Sequence, residues 1–142
     1  MTDRTAHVTW SGSLIEGSGT ITSVGSGAFG PLDVTWAARA EGSDELTSPE
    51  ELIAAAHAAC FSMALSHALG EAGTPPERLD VDATVTFVPG TGITKSALSV
   101  RATVPGIDEA AFREAAEGAK ENCPVSQALA GVSEITLEAS LA

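Results

Sequence analysis

The chain has 142 residues, a length typical of one domain, and 44% of them are hydrophobic, so a buried core can form. The formal net charge of -12 argues against binding to nucleic acid or to an anionic membrane surface, because both need clustered lysine and arginine. Met1–Arg4 lacks the features of a signal peptide, and histidine and serine interrupt the longest apolar run. We therefore expect residues 1–142 to form a single cytoplasmic domain that does not span a membrane.

Three strands are predicted in the first part of the chain, where apolar residues alternate with polar ones between turns rich in Gly and Ser. They cover His7–Trp10, Gly19–Val24 and Leu32–Arg39. The last strand places Arg39 at its end, and a polar loop over Glu41–Thr47 follows it.

A long helix is predicted from Pro49 to Glu71. Ser48 fits the N-cap position, Pro49 the first helical position, and Glu51 the third position of a capping box. Apolar residues cover nearly the whole circumference of this helix, and one small sheet can bury only one side of it. We therefore expect a second copy of the chain to cover the remainder in an intimate homodimer.

The second part of the chain predicts a hairpin, two helices and a final strand. A turn containing Pro and Gly favours an antiparallel hairpin, and strands on both sides of a helical centre indicate an α+β fold. The predicted ranges are Leu79–Val88 and Ile93–Val104 for the hairpin, Glu109–Glu121 for a helix capped by Asp108, a short helix from Cys123 or Pro124 to Gly131, and Glu134–Leu141 for the final strand.

The two cysteines, Cys60 and Cys123, are the first candidates for chemistry. In a cytosolic protein such cysteines are more often catalytic, redox-active or metal-binding than joined in a structural disulfide. Burial in the long helix would raise the pKa of Cys60, so a reactive thiolate there needs a nearby cation. Arg39 is the best candidate for that cation, and Glu50 could hold it in a bidentate ion pair. Cys123 is predicted at a helix N-terminus, where free N–H groups favour a thiolate.

Other interpretations stay open. Both cysteines could be inert core residues of a scaffold or binding dimer. Arg39 could be solvated, and Glu50 could only favour the helix macrodipole. His57, one turn before Cys60, could be a hydrogen-bonding core residue or the base of a Cys–His acyl-transfer enzyme. The spacing of His57, Cys60, His67 and Cys123 matches no common zinc pattern, so we expect no metal.

Two motifs taken together resemble the OsmC/Ohr family of bacterial thiol peroxidases, and most closely its OsmC branch. They are the segment Ser48–Ser66, which contains Cys60, and the segment Cys123–Gln127. The similarity extends over essentially the whole chain, including Val104–Asp108 and the final strand.

The resemblance implies an OsmC-like α+β fold, with antiparallel sheets packed on a long central helix, and an intertwined homodimer with both sites at the subunit interface. It also implies that Cys60 is the peroxidatic residue, Cys123 the resolving residue, Arg39 the activator of the thiolate and Glu50 the carboxylate that orients Arg39. Family members reduce organic hydroperoxides, and hydrogen peroxide less well, without a metal, flavin or haem. A dithiol recycles them, notably on lipoylated proteins.

Overall fold

A computed structural model of the chain describes residues 1–42 and 45–142. The predicted polar loop over Glu41–Thr47 lies partly outside the described residues, because Ser43 and Asp44 are not among them. The described chain forms two compact units, Met1–Leu52 and Ile53–Ala142. The assignment of residues 1–142 to one domain stays a prediction.

The first unit contains an antiparallel sheet of three strands. The strands are β1 (Ala6–Ser11), β2 (Ser18–Val24) and β3 (Leu32–Val34), and β2 lies in the middle. It pairs with β1 on one side and with β3 on the other. The first two predicted strands are therefore confirmed, and the third is much shorter than predicted.

The predicted strand Leu32–Arg39 is wrong in its second half, where the chain forms the short helix α1 (Trp36–Ala40). Thr35 is the N-cap residue, and its Oγ1 accepts a hydrogen bond from the N–H of Ala38 at 3.1 Å. A threonine side chain thus satisfies a backbone donor that the start of a helix leaves unpaired. Arg39 consequently lies in the last turn of a helix and not at the end of a strand.

Helix α2 (Pro49–Glu71) has the bounds that its capping residues predict. The N–H of Glu51 donates a hydrogen bond to Ser48 Oγ at 3.1 Å, as expected of an N-cap serine. The helix carries Glu50 in its first turn and Cys60 near its middle, so it supplies two of the four predicted site residues.

One face of α2 is covered within the chain. Phe61, Leu65 and Leu69 are fully buried in the core of the second unit, whereas Met63 keeps 72% of its surface exposed. By length and composition α2 could cross a membrane, but core helices of folded domains pass the same test. The burial of one face identifies α2 as a helix of this core.

The second unit contains a mixed sheet with the strand order β4-β5-β6. Its strands are β4 (Arg78–Val88), β5 (Gly92–Thr103) and β6 (Glu134–Leu141). The predicted hairpin is confirmed, since β4 and β5 are antiparallel. The expectation of antiparallel sheets is corrected at β6, which runs parallel to β5. The reason is that α3 (Glu109–Asn122) and α4 (Pro124–Ala128) form a crossover between the two strands, which brings the chain back in the same direction.

The predicted helices after β5 are both present. Asp108 caps α3, because its Oδ1 accepts a hydrogen bond from the N–H of Ala111 at 2.8 Å. Helix α4 ends at Ala128, before the predicted end at Gly131. Cys123 occupies the junction of α3 and α4. The core of the second unit lies between α2, the sheet and α3, and its buried members are Phe61, Leu65, Leu69, Leu98, Val100, Ala102, Val104, Phe112, Ala116, Ala119 and Cys123.

Candidate active site

Arg39 and Glu50 form an ion pair within the first unit. Arg39 Nε and Nη2 donate hydrogen bonds to Glu50 Oε1 at 3.0 and 2.8 Å. The predicted pair therefore exists. Its predicted bidentate form does not, because both N–H groups meet one oxygen instead of two. Glu50 is only 6% exposed, so the carboxylate holds the guanidinium from a buried position.

The second oxygen of Glu50 has no partner in the part of the chain that the structure describes. Glu50 Oε2 is buried and accepts no hydrogen bond there. Leaving a buried acceptor unpaired costs about 1–3 kcal/mol or more. The ion pair thus retains one acceptor that a donor from outside the described residues can use.

The second unit brings the two cysteines together. Cys60 lies half-buried on α2, and Cys123 is fully buried at the start of α4. Both are free thiols, and a hydrogen-bonding interaction between them changes the pKa of each. The scaffold alternative needs two separated and inert thiols, so this contact argues against it.

The two thiols differ in acidity. Burial raises the pKa of Cys60, and its interaction with Cys123 raises it further, while the N–H of Val125 opposes both effects. Burial also acts to raise the pKa of Cys123, but the N–H and hydroxyl of Ser126, the Cys60 thiol and the N–H of Val125 together lower it. In the single chain burial therefore disfavours the thiolate of Cys60, and a reactive Cys60 needs a cation.

The helix N-terminus predicted at Cys123 is present, and its free N–H groups act in the predicted direction, because those of Ser126 and Val125 lower the pKa of Cys123. Helix α4 has five residues, and Cys123 makes no side-chain capping hydrogen bond of standard geometry. The macrodipole of so short a helix is small. The lowered pKa of Cys123 therefore comes from its neighbouring polar groups.

His57 is fully buried on α2, and both of its ring nitrogens are occupied. Nδ1 pairs with Ser96 Oγ on β5 at 2.7 Å, and Nε2 pairs with Ser126 Oγ on α4 at 2.7 Å. Burial lowers the pKa of His57, so the ring is neutral at neutral pH. Since neither nitrogen is left for Cys60, the structure favours the core hydrogen-bonding role over a Cys–His pair.

Ser96 and Ser126, the two partners of His57, are not singled out by the sequence. Ser96 is fully buried on β5, and Ser126 lies in the second cysteine motif with 6% of its surface exposed. A serine at an inward position of a strand needs a hydrogen-bond partner, because a buried hydroxyl is rarely left unpaired. That rule could have marked Ser96, but not the identity of its partner.

The four residues weighed as metal ligands, including His67, form no metal site. Among residues 1–42 and 45–142, no group of three or more His, Cys, Asp or Glu side chains could hold a metal ion. The absence of a metal from the reaction stays a prediction.

Comparison with known proteins identifies the family. The model of the OsmC-like protein family matches residues 42–138, well over half of the chain. The chain belongs to the OsmC family. It is 47% identical over 135 residues to peroxiredoxin OsmC of Escherichia coli (strain K12). The aligned region covers 93% of this chain and 92% of that protein. It is 32% identical over 92 residues to an organic hydroperoxide resistance protein of Xanthomonas axonopodis pv. citri (strain 306), with coverages of 64% and 65%.

Solved structures agree with this assignment. The organic hydroperoxide resistance protein OhrB of Bacillus subtilis superimposes with a TM-score of 0.63 at 26% identity, covering 97% of this chain and 98% of that one. The resemblance drawn from the two cysteine motifs is thereby confirmed, as is the OsmC-like α+β fold. The homodimer and the roles of Cys60, Cys123, Arg39 and Glu50 stay predictions.

Proposed function

We propose that this OsmC-family peroxidase reduces organic hydroperoxides through a Cys60 thiolate, with Cys123 as the resolving thiol. The contact between these two thiols, which come from distant parts of the sequence, is the observation that carries the proposal. The names of the relatives, peroxiredoxin and organic hydroperoxide resistance protein, support the class of substrate.

In the first step the Cys60 thiolate attacks the distal oxygen of the hydroperoxide. A sulfur–oxygen bond forms and the oxygen–oxygen bond breaks. The sulfur is oxidised by two electrons to a sulfenic acid, and the alkoxide leaves and takes up a proton as the alcohol. The apolar residues on α2 around Cys60 favour an alkyl group over a small polar oxidant, so hydrogen peroxide is the poorer substrate.

In the second step Cys123 attacks the sulfenic sulfur of Cys60. A disulfide bond forms, the sulfur–oxygen bond breaks, and the hydroxide leaves and is protonated to water. The lowered pKa of Cys123 supports this role, because the attacking group is the thiolate. An external dithiol, such as the lipoyl group of a lipoylated protein, then reopens the disulfide by thiol exchange. The proposed setting is the reducing cytoplasm, and the chemistry uses no bound cofactor.

Arg39 is proposed as the activating cation and Glu50 as the residue that orients it. Glu50 and Cys60 lie ten positions apart in α2, which corresponds to about 15 Å along a helix with a rise of 1.5 Å per residue. We accordingly assign the Arg39–Glu50 pair of one subunit to the Cys60 of the other.

The uncovered surface of α2 supports a homodimer. Only 22% of its apolar stretch is buried within the described chain, and Met63 is 72% exposed. An apolar helix face left in water is unfavourable, and a second copy of α2 offers a surface of the same composition. The proposed dimer is intertwined and has two sites at its interface.

A dimer is expected in light scattering at micromolar concentration, because an obligate interface buries more than roughly 2,000 Å². Mixed dimers of Cys60→Ser and Arg39→Ala subunits test the shared site. One of their two sites then combines an intact Cys60 with an intact Arg39 from the other chain, so about half of the wild-type activity per dimer should return. A folded monomer contradicts the dimer, and mixed dimers no more active than Arg39→Ala alone contradict the sharing of residues.

The peroxidase activity is tested by following cumene hydroperoxide consumption in the presence of dihydrolipoamide. We expect multiple turnovers with this dithiol and a lower kcat/KM for hydrogen peroxide. The protein-free mixture is the control. Consumption at the rate of that mixture would exclude the proposed function, whereas consumption with another thiol alone would revise only the reductant.

A further inference from the structure

Helix α4 is short, and its buried side chain, Ser126, is tied to the long helix α2. Ser126 Oγ lies 2.7 Å from Nε2 of His57, which is fully buried on α2. The other ring nitrogen of His57, Nδ1, lies 2.7 Å from Oγ of Ser96, which is fully buried on β5. The imidazole therefore connects α2, β5 and α4 within the second unit.

The two contacts of His57 do not depend on which ring nitrogen carries the proton. A neutral imidazole has one donor and one acceptor nitrogen, and a serine hydroxyl can donate or accept, so both contacts are hydrogen bonds in either tautomer. Loss of either bond would leave a buried polar group unpaired, which is unfavourable. The two bonds therefore fix the ring and, through it, the position of Ser126 relative to α2.

The same two helices carry the two thiols. Cys60 follows His57 by three residues on α2, and Cys123 precedes Ser126 by three residues at the N-cap of α4. Residues three apart lie near each other on one side of a helix. Cys123 is a member of the buried core of the second unit, and Cys60 packs against that core. The His57–Ser126 hydrogen bond thus joins the same two helices that a Cys60–Cys123 disulfide would join.

Backbone hydrogen bonds make Cys123 the joint between α3 and α4. Its N–H donates to the carbonyl of Ala119, in the last turn of α3, at 2.9 Å. Its own carbonyl accepts a hydrogen bond from the N–H of Gln127, in α4, at 3.0 Å. A movement of α4 about this joint would rotate the backbone bonds of Cys123, from which its side chain projects. The orientation of α4 therefore contributes to the direction in which the Cys123 sulfur points.

We propose that the His57–Ser126 hydrogen bond is a clamp that holds α4 on α2 and so keeps Cys123 within reach of the Cys60 sulfenic acid. The clamp raises the effective concentration of the resolving thiol. His57 and Ser126 are positioning residues, since they act through the backbone of α4, and Ser96 supports the ring of His57. The purpose of the clamp rests on the proposed function, whereas its geometry does not.

The clamp leaves the chemistry of the resolving step unchanged. The Cys123 thiolate attacks the Cys60 sulfenic sulfur, a sulfur–sulfur bond forms and the sulfur–oxygen bond breaks. The hydroxide leaves and is protonated to water. The clamp affects only how often the two sulfurs meet in a geometry that allows this attack.

The clamp is tested first without peroxide, through the equilibrium between the Cys60–Cys123 dithiol and disulfide in a dithiothreitol redox buffer. Mass spectrometry after alkylation of free thiols gives the two populations. Without the clamp, closing the disulfide must also order α4, so Ser126→Ala should lower the equilibrium constant about three- to tenfold. This change corresponds to a reduction potential about 15–30 mV less negative than that of the wild type.

Ser96→Ala is the matched variant, because it removes a hydrogen bond from the same ring on the side away from α4. The His57–Ser126 bond stays in place, so the equilibrium constant should remain within about twofold of wild type. Ser62→Ala is the control on α2, where the Ser62 hydroxyl donates to Ala58 O at 2.7 Å outside the clamp. It should behave like the wild type.

The comparison of Ser126→Ala with Ser96→Ala is decisive, with circular dichroism to show that each variant is folded. If Ser126→Ala shifts the equilibrium no more than Ser96→Ala does, the clamp is wrong, because a general loosening around His57 then explains the shift. His57→Phe keeps a ring of similar size and breaks the clamp from the side of α2. It gives the same comparison if Ser126→Ala does not fold.

The resolving step gives a second readout in the chain with both cysteines. After one equivalent of cumene hydroperoxide, the ratio of the rate of disulfide closure to the rate of sulfenic acid formation should fall about three- to tenfold in Ser126→Ala. The factor should be the same at neutral and at alkaline pH, because the clamp acts on position. A slowing that disappears at alkaline pH would show that Ser126 acts on the ionisation of a thiol, and would overturn the clamp. If wild-type protein forms no sulfenic acid, the peroxidase proposal fails, while the redox equilibrium still decides the clamp.

Discussion

Cys60→Ser is expected to abolish hydroperoxide reduction, lowering the rate by roughly 10³-fold or more to the uncatalysed background. The serine hydroxyl is a poor nucleophile at neutral pH, and His57 cannot activate it as a base, because both of its ring nitrogens are occupied. The measurement is cumene hydroperoxide consumption with dihydrolipoamide, together with circular dichroism to show that the variant is folded. Equal activity of Cys60→Ser and wild type would contradict the mechanism.

Cys123→Ser is the matched variant, and its phenotype should differ. It retains Cys60, so it should reduce one equivalent of hydroperoxide per site and then stop, leaving a sulfenic acid that dimedone can trap. Excess peroxide should overoxidise this sulfenic acid to the sulfinic acid. A Cys123→Ser variant that consumes hydroperoxide with dihydrolipoamide at the wild-type rate would show that another group resolves Cys60.

Arg39→Ala has the second largest expected effect. Because burial and Cys123 raise the pKa of Cys60 in the single chain, removal of the proposed cation should leave Cys60 mainly protonated at neutral pH. Peroxide reduction should slow by on the order of 10²-fold, as when one preorganised donor is lost. The rate should recover in part as the pH rises through the pKa of Cys60, since more thiolate forms. Recovery stays incomplete if Arg39 also stabilises charge on the peroxide oxygens.

Two further variants separate charge from geometry at this position. Arg39→Lys keeps the charge but loses the Nε and Nη2 pair that meets Glu50 Oε1, so it should restore little activity. Glu50→Gln keeps the size of the side chain and removes the charge that holds Arg39. The thiol of Cys60 is titrated with iodoacetamide in a Cys123→Ser background with and without Arg39. Overlaid titration curves would show that another group activates Cys60.

The elements that the sequence predicts well have local causes. Ser48 and Asp108 are capping residues whose partners lie three positions further along the chain, so α2 and α3 begin where predicted. Thr35 also caps a helix, but the alternation of apolar and polar residues around it is typical of a strand, so the pattern does not indicate the short helix. The parallel pairing of β6 depends on how the crossover packs, which the pattern within one strand does not encode.

The site shows the same division between local and long-range causes. Cys60 and Cys123 have distinctive sequence settings and could be singled out with Arg39 and Glu50. The hydrogen bonds of His57 could not be predicted, because its partners Ser96 and Ser126 lie 39 and 69 residues away along the chain. Serine has many ordinary uses, so Ser96 becomes meaningful only when the fold places it against a buried imidazole.

The most direct measurement is peptide mapping by mass spectrometry after one equivalent of cumene hydroperoxide per subunit, with free thiols blocked by iodoacetamide at acid quench. We predict a single intramolecular disulfide between Cys60 and Cys123, formed in stoichiometric amount and reopened by dihydrolipoamide. Cys60→Ser and Cys123→Ser serve as controls and should yield no such peptide. Two alkylated cysteines in wild-type protein after the hydroperoxide has been consumed, or a Cys60 oxidised to sulfinic acid beside an alkylated Cys123, would contradict a mechanism in which Cys123 resolves Cys60.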